Sequence, residues 1–303
     1  MIFQQRSGLC VTGLALALVL GACSSSSNST SPSSPALTAS EADTAAAVLT
    51  NDADALSDGA TGTGSANVGA AFSIVPVAGR VVTNSNPPLL CHPTRSPLPV
   101  VNSDSDAVPD SVRVDWTGCL INHPFATESL AGTIDYIDPT PTVTDHALKR
   151  VFTNFLIQTR RILRGDTISD EWNGTQNFNR DSSQGAFTET AFTRVHTFPR
   201  GQTATHVTTW ASSFVADTPG TIVDDTPLPS GKRTITGTST WTYSSKTWSF
   251  AVTTNPPLHR NDNCTTVPLF DSGTMTVVAT RPSETTTLTI VFTGCGTYTV
   301  TRS

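Results

Sequence analysis

One stretch of the chain spaces its oxygen-bearing side chains as a hard cation needs them. Asn102-Ser103-Asp104-Ser105-Asp106-Ala107-Val108-Pro109-Asp110 puts oxygen donors at positions 1, 3, 5 and 9 of a tight loop, with the Val108 carbonyl at position 7. Alternate residues of a curled loop point inward, and calcium asks for about six or more oxygens at once. The competing reading is a solvated acidic loop that turns at Pro109-Asp110 into the strand Val112–Trp116.

The run resembles the Asp-x-Asp-x-Asp-Gly calcium loops of thrombospondin type 3 and EF-hand proteins. The resemblance implies a calcium ion held by Asn102, Asp104, Asp106, Val108 and Asp110. Two positions depart from it. Ala107 stands where glycine makes the sharp turn, and Arg113 stands where an EF-hand has its bidentate Glu.

Other candidates for chemistry are thinner. His196 and His206 share a strand face if their hairpin loop is Pro199-Arg200-Gly201, but no third ligand accompanies them. Gly231-Lys232-Arg233 lacks the upstream glycine and the Ser/Thr of a phosphate loop. Asp170-Glu171 and Asp224-Asp225 are sequence neighbours, so in strands they face opposite ways and cannot flank one bond. Lys149, Arg150, Arg160, Arg161 and Arg164 form a basic group that suits a solvated face, or contact with anionic lipid or glycan. No nucleophile motif or paired metal motif occurs, so the expected class is a non-enzymatic binding or structural module. The alternative is a carrier for an acyl chain or other apolar ligand, with Trp116, Trp210, Trp241, Trp248, Phe250 and Phe292 lining its cavity.

The elements that must position these residues begin with an address. Arg6 precedes an apolar run, Leu9–Leu20, too short to span a bilayer but right for the core of a secretory signal. It ends in Leu20-Gly21-Ala22-Cys23, which resembles the lipobox of bacterial lipoproteins. The resemblance implies that residues 1–22 are a signal peptide, that Cys23 is acylated, and that the mature protein is anchored in the cell envelope. Ser24 after that cysteine makes the outer membrane the default expectation. Residues 23–36 read as a Ser/Pro tether with almost nothing to bury.

Thr38-Ala39-Ser40-Glu41 has the form of a capping box. Ala45, Val48, Leu49 and Leu56 follow at helical spacing, and Gly59 stands where a helix should stop. A helix from Ser40 to Ser57, followed by a Gly/Ser hinge, fills the expected 37–70 unit as a strut on the next domain.

Residues 71–303 alternate apolar and hydroxyl side chains. Charged residues make up 14% of the chain, against roughly 25% in an ordinary soluble domain. The net charge of −6 gives no footprint for nucleic acid. The expected fold is all-β, an antiparallel meander forming a sandwich or a partly open curled barrel, with one short N-terminal helix. A Pro282-Ser283 turn pairs Arg281 with Glu284, Val277 with Leu288, and Met275 with Ile290. Across Ser245-Lys246 the expected pairs are Trp241–Phe250 and Tyr243–Trp248. Gly-Thr steps at Gly132, Gly174, Gly237, Gly273 and Gly296 mark bends or bulges. His146–Arg164 fits a helix by the spacing of Leu148, Phe152 and Phe155, while its surroundings favour a strand.

An internal echo completes the reading. Asn86-Pro87-Pro88-Leu89 precedes Cys91 as Asn255-Pro256-Pro257-Leu258 precedes Cys264. Val112–Cys119 then aligns with Leu288–Cys295, each ending in Thr-Gly-Cys. The units 86–119 and 255–295 therefore read as a duplication. With Cys10 lost and Cys23 acylated, the echo selects Cys91–Cys119 and Cys264–Cys295 as disulfides, each second cysteine falling on the polar face.

Overall fold

The computed structural model describes residues 37–59, 93–106, 108–123, 125–143, 146–223, 227–282 and 284–303. The signal peptide, the tether, the hinge, Asn86–Leu89, Cys23 and Cys91 lie outside them. Among the described residues one helix, α1 (Ala39–Gly59), precedes fourteen strands: β1 (Thr94–Ser96), β2 (Ser111–Asp115), β3 (Cys119–His123), β4 (Ala126–Ile137), β5 (Leu148–Arg161), β6 (Asp166–Arg180), β7 (Gln184–Thr197), β8 (Thr203–Ala216), β9 (Gly231–Tyr243), β10 (Lys246–Thr254), β11 (Leu258–Arg260), β12 (Phe270–Arg281), β13 (Glu284–Gly294) and β14 (Thr297–Arg302). They form a single antiparallel sheet in the order β1-β2-β4-β5-β6-β7-β8-β9-β10-β12-β13-β14, which does not close into a barrel. β3 continues beside β4 below β2, and β11 continues β10 between β9 and β12.

The cap of α1 forms as its sequence dictates. The Thr38 N–H donates to Glu41 Oε2 at 2.8 Å and the Glu41 N–H donates to Thr38 Oγ1 at 3.2 Å. Leu37, Ala42, Ala45, Ala46, Leu49 and Ala53 are buried in one core with Trp210, Ile235, Trp248, Phe250, Met275, Leu288 and Phe292. The helix is therefore part of the β core rather than a separate unit. Its small alanines let it lie close against a face crowded with aromatic side chains.

The β12–β13 register is the expected one, with Arg281 opposite Glu284, Val277 opposite Leu288 and Met275 opposite Ile290. The β9–β10 register differs from expectation by two residues. Its turn is Ser244-Ser245, Trp241 faces Trp248, and Phe250 faces Ser239. A two-residue slip leaves every side chain on its face, so apolar alternation alone cannot choose between the two. The Trp241 and Phe250 rings still meet diagonally, with centroids 6.1 Å apart.

His146–Arg164 contributes strand β5, and a bulge explains its helix-like spacing. Asn154 in β5 and Ala191 in β7 are extra residues at the same height of the sheet, with φ of 48° and 49°. Each shifts the alternation by one, so Phe152 and Phe155 point to the same side, three residues apart as in a helix. Gly132 lies against the first bulge. A Cβ there would sit 2.0 Å from the Asn154 carbonyl oxygen. The bulges crease five adjacent strands, β4 to β8, and carry a second core of Trp116, Phe152, Phe155 and Phe192.

Cys264 and Cys295 are joined, with Cα atoms 5.3 Å apart, tying the loop after β11 to the turn after β13. Cys119 is also disulfide-bonded, so its partner is neither of these. Cys119 is buried beside Trp116 rather than on the polar face, because Gly118 (φ 83°) breaks the alternation between β2 and β3. The two echoing Thr-Gly-Cys corners diverge beyond the cysteine. After Cys295 the chain folds back on β13, whereas after Cys119 it runs on beside β4.

Candidate cation site

The Asn102–Asp110 loop joins β1 to β2, and its short acidic side chains fold it on itself. Asn102 Oδ1 accepts from the Ser105 N–H at 2.8 Å, Asp104 Oδ1 from the Asp106 N–H at 3.2 Å, and Asp106 Oδ1 from the Val108 N–H at 2.7 Å. Asp110 accepts from both the N–H and the hydroxyl of Ser103, at 2.7 and 2.5 Å, which hold its carboxyl below the usual range. The Asp110 N–H closes the neck on the Val101 carbonyl at 2.9 Å. Val108 drops into the α1 core at 1% exposure and anchors the far side of the loop.

A third carboxylate arrives from elsewhere in the chain. Asp138 follows β4, and its N–H donates to the carbonyls of Pro109 and Asp110, docking the end of β4 on the loop. Asp138 Oδ1 accepts from the Thr140 N–H at 2.7 Å. Carboxylate oxygens of Asp104, Asp106 and Asp138 then lie within 4.8 Å of one another. Asp106 is 5% exposed and Asp138 2%. Each has a buried Oδ2 with no hydrogen-bond donor. Burial pushes the Asp106 carboxyl up, the Val108 N–H opposes this, the charges of Asp104 and Asp138 push it further, and that of His146 pulls it back.

Two carboxylates about 4.8 Å apart repel by roughly 3–4 kcal/mol at an effective dielectric of about 20. Leaving buried acceptor oxygens without donors adds a desolvation cost of about 1–3 kcal/mol each. A hard cation between the three would remove both penalties, and an all-oxygen donor set suits calcium or magnesium rather than zinc. Of the residues expected from the sequence, Asp104 and Asp106 converge. Asn102 and Asp110 shape the loop, and Val108 offers its N–H to Asp106. Asp138 was invisible to a local motif, because a ligand supplied from the end of a distant strand has no fixed spacing. The only local sign was an Asp-Pro-Thr step closing a strand.

The other candidates resolve differently. His196 Nδ1 pairs with Asp170 Oδ1 at 2.8 Å, while the ring of His206 contacts Ser239 Oγ at 2.7 Å. Burial, with the Arg194 charge nearby, pushes His206 down to about 3, so it stays neutral. The basic group does not form one face. Arg150 is buried, its guanidinium 4.3 Å from the Phe178 ring centroid, and burial lowers its pKa to about 10. It stands in a polar rung with Tyr136, Gln176 and Glu189. The aromatic residues of the carrier alternative split. Trp116 belongs to the second core, and Trp210, Trp248, Phe250 and Phe292 share the α1 core. No known protein family, curated protein or solved structure matches the chain.

Proposed function

We propose that this protein is a lipid-anchored, non-enzymatic module of the bacterial cell envelope that takes up one divalent cation, calcium by its donor chemistry, between Asp104, Asp106 and Asp138. The observation that carries the cation is the convergence of one carboxylate oxygen from each of Asp104, Asp106 and Asp138, together with buried Oδ2 atoms on Asp106 and Asp138 that lack donors. The cation's role follows from where the loop sits. It would join the β1–β2 loop to the end of β4 and hold Val108 in the α1 core. The envelope location rests on the lipobox-like Leu20–Cys23 and the Ser/Pro tether behind it. Hydroxyl-rich outward strand faces suit contact with glycan, lipid or protein in that compartment.

Isothermal titration of the mature domain with calcium tests the site. Heat of binding that disappears in Asp106→Asn and Asp138→Asn supports it, and no heat up to millimolar calcium overturns it. Mass measurement of the N-terminal peptide of protein purified from its own membrane tests the acylation of Cys23. The carrier reading has less support, since Trp210, Trp248, Phe250 and Phe292 are packed in the core that α1 shares and Trp116 in the separate second core. A pocket lined by Phe178, Phe187, Phe214 and Leu228 has a volume of about 20 Å³, room for about one water.

A further inference from the structure

The meander sorts its connections onto two rims. The short turns β3–β4, β5–β6, β7–β8, β9–β10 and β12–β13 share one rim, and the β1–β2 loop, the ends of β4, β6 and β8 and the start of β12 share the other. Charge is weighted along the same axis. The short-turn rim carries Arg160, Arg161, Arg164, Arg200, Lys246, Arg281 and Arg302, against Glu41, Asp43, Glu128, Asp166 and Glu284. Asp166 is already paired with Arg161 at 2.6 Å, and Glu284 stands opposite Arg281. The opposite rim holds Asp104, Asp106, Asp110, Asp138, Asp181 and Asp217, against Lys149, Lys232 and the buried Arg180.

Apolar side chains stand among the cations. Phe125 is 59% exposed, Ile162 56% and Leu163 79%, and the Ile162 N–H donates to the Phe125 carbonyl at 2.9 Å, so the two turns form one patch. Arg160 and Arg164 flank it, both at the surface. Exposed apolar residues also occur on the opposite rim, Leu98 and Val143 among them, but without the flanking arginines. Apolar tips ringed by arginine match the boundary between headgroups and acyl chains.

The chain enters the fold at this same rim. The Leu37 N–H donates to Thr286 Oγ1 near the start of β13, and Arg302 Nη1 donates to the Leu37 carbonyl at 2.9 Å. From there α1 climbs toward the other rim, where Asp54 accepts from the Leu269 N–H at 3.0 Å. A chain from Cys23 to Leu37 reaches at most roughly 45–50 Å. Turning the acidic rim to the membrane would use roughly 35 Å of that along β13 and would set carboxylates against lipid phosphates.

We infer that the short-turn rim, through Phe125, Ile162, Leu163, Arg160, Arg164 and Arg200, is a docking surface for an anionic lipid bilayer, so that the module lies on its membrane by that rim. The inference rests on the lipid-anchor reading for the nearness of a membrane, but the contact itself needs no acyl chain. The test therefore uses the unacylated mature chain, residues 23–303 with Cys23→Ser, sedimented with vesicles of phosphatidylcholine with and without phosphatidylglycerol. Binding is expected to the anionic vesicles at low salt and to fade as salt rises. Each arginine near an anionic surface strengthens partitioning about fivefold. Arg160→Gln, Arg164→Gln and Arg200→Gln together should weaken it by roughly two orders of magnitude, with an unchanged melting temperature. Leu163→Ser should weaken it further, and Lys232→Gln near the opposite rim should not. Equal partitioning to both vesicle types, or an unchanged triple variant, overturns the docking surface. Absence of acyl chains on native Cys23 would instead overturn only the anchor.

Discussion

Asp106 and Asp138 meet across the seam between the β1–β2 loop and the end of β4, each nine-tenths buried and each with one carboxylate oxygen lacking a donor. Their backbones are tied independently, Asp138 to Pro109 and Asp110 and the loop neck to Val101. Like charges held together by the fold make stability depend on what else is present.

The first prediction concerns that dependence. Calcium at a hundred times its Kd should stabilise the native protein by about 2.7 kcal/mol, visible as a rise in Tm that a chelator reverses. Asp138→Asn should abolish the rise. In chelator the same variant should melt at or above the native protein, because one member of the repelling trio is gone. A calcium response that survives both Asn variants would place the ion elsewhere.

His259 provides a pH-dependent clamp between β8 and β12. Its Nε2 meets Asp217 Oδ2 and its Nδ1 meets Asp271 Oδ1, both at 2.7 Å. Burial works against the imidazolium, but the hydrogen bonds and charges of Asp217 and Asp271 outweigh it and raise the pKa. A folded-state pKa above the unfolded one contributes stability that is complete below about 6.5 and is lost as pH climbs through the raised value. The Tm difference between native protein and His259→Gln should thus be widest near pH 5.5 and shrink toward pH 8. A gap that grows with pH would refute the clamp.

Gly132 and Gly118 share a φ of 83° but not their surroundings. A Cβ added at Gly118 would meet nothing within 4 Å, while at Gly132 the Asn154 backbone occupies that space. Gly118→Ala should cost about 1–2 kcal/mol from backbone conformation alone. Gly132→Ala should cost clearly more, because the bulge must shift, and urea unfolding midpoints compare the two directly. Equal midpoints would mean that the crease is soft.

The Cys264–Cys295 bond closes a loop with a sequence separation of 31 residues. Its removal by Cys264→Ser with Cys295→Ser should cost roughly 3–4 kcal/mol in the chain-entropy model, seen as a lowered urea midpoint. A double variant as stable as the native protein would make the bond dispensable.

Much of this architecture was written locally. The capping box of Thr38 and Glu41, the Arg281–Glu284 hairpin, and the strand alternation from Val112 to Val300 depend on neighbours in sequence, so their patterns survive in one dimension. The Asp104–Asp106 pair was legible for the same reason. Only the tertiary structure decided that α1 joins the β core, since a thin alanine stripe does not say what will cover it. Only the structure decided the β9–β10 register, because a slip of two residues preserves both faces. It alone explained the Phe152–Phe155 spacing, which belongs to a bulge held open by Gly132 on the next strand. It alone brought Asp138 to the loop and Leu37 to the cationic rim. Local periodicity specifies which way a side chain points; what it meets there is set by strands that sequence distance does not reveal.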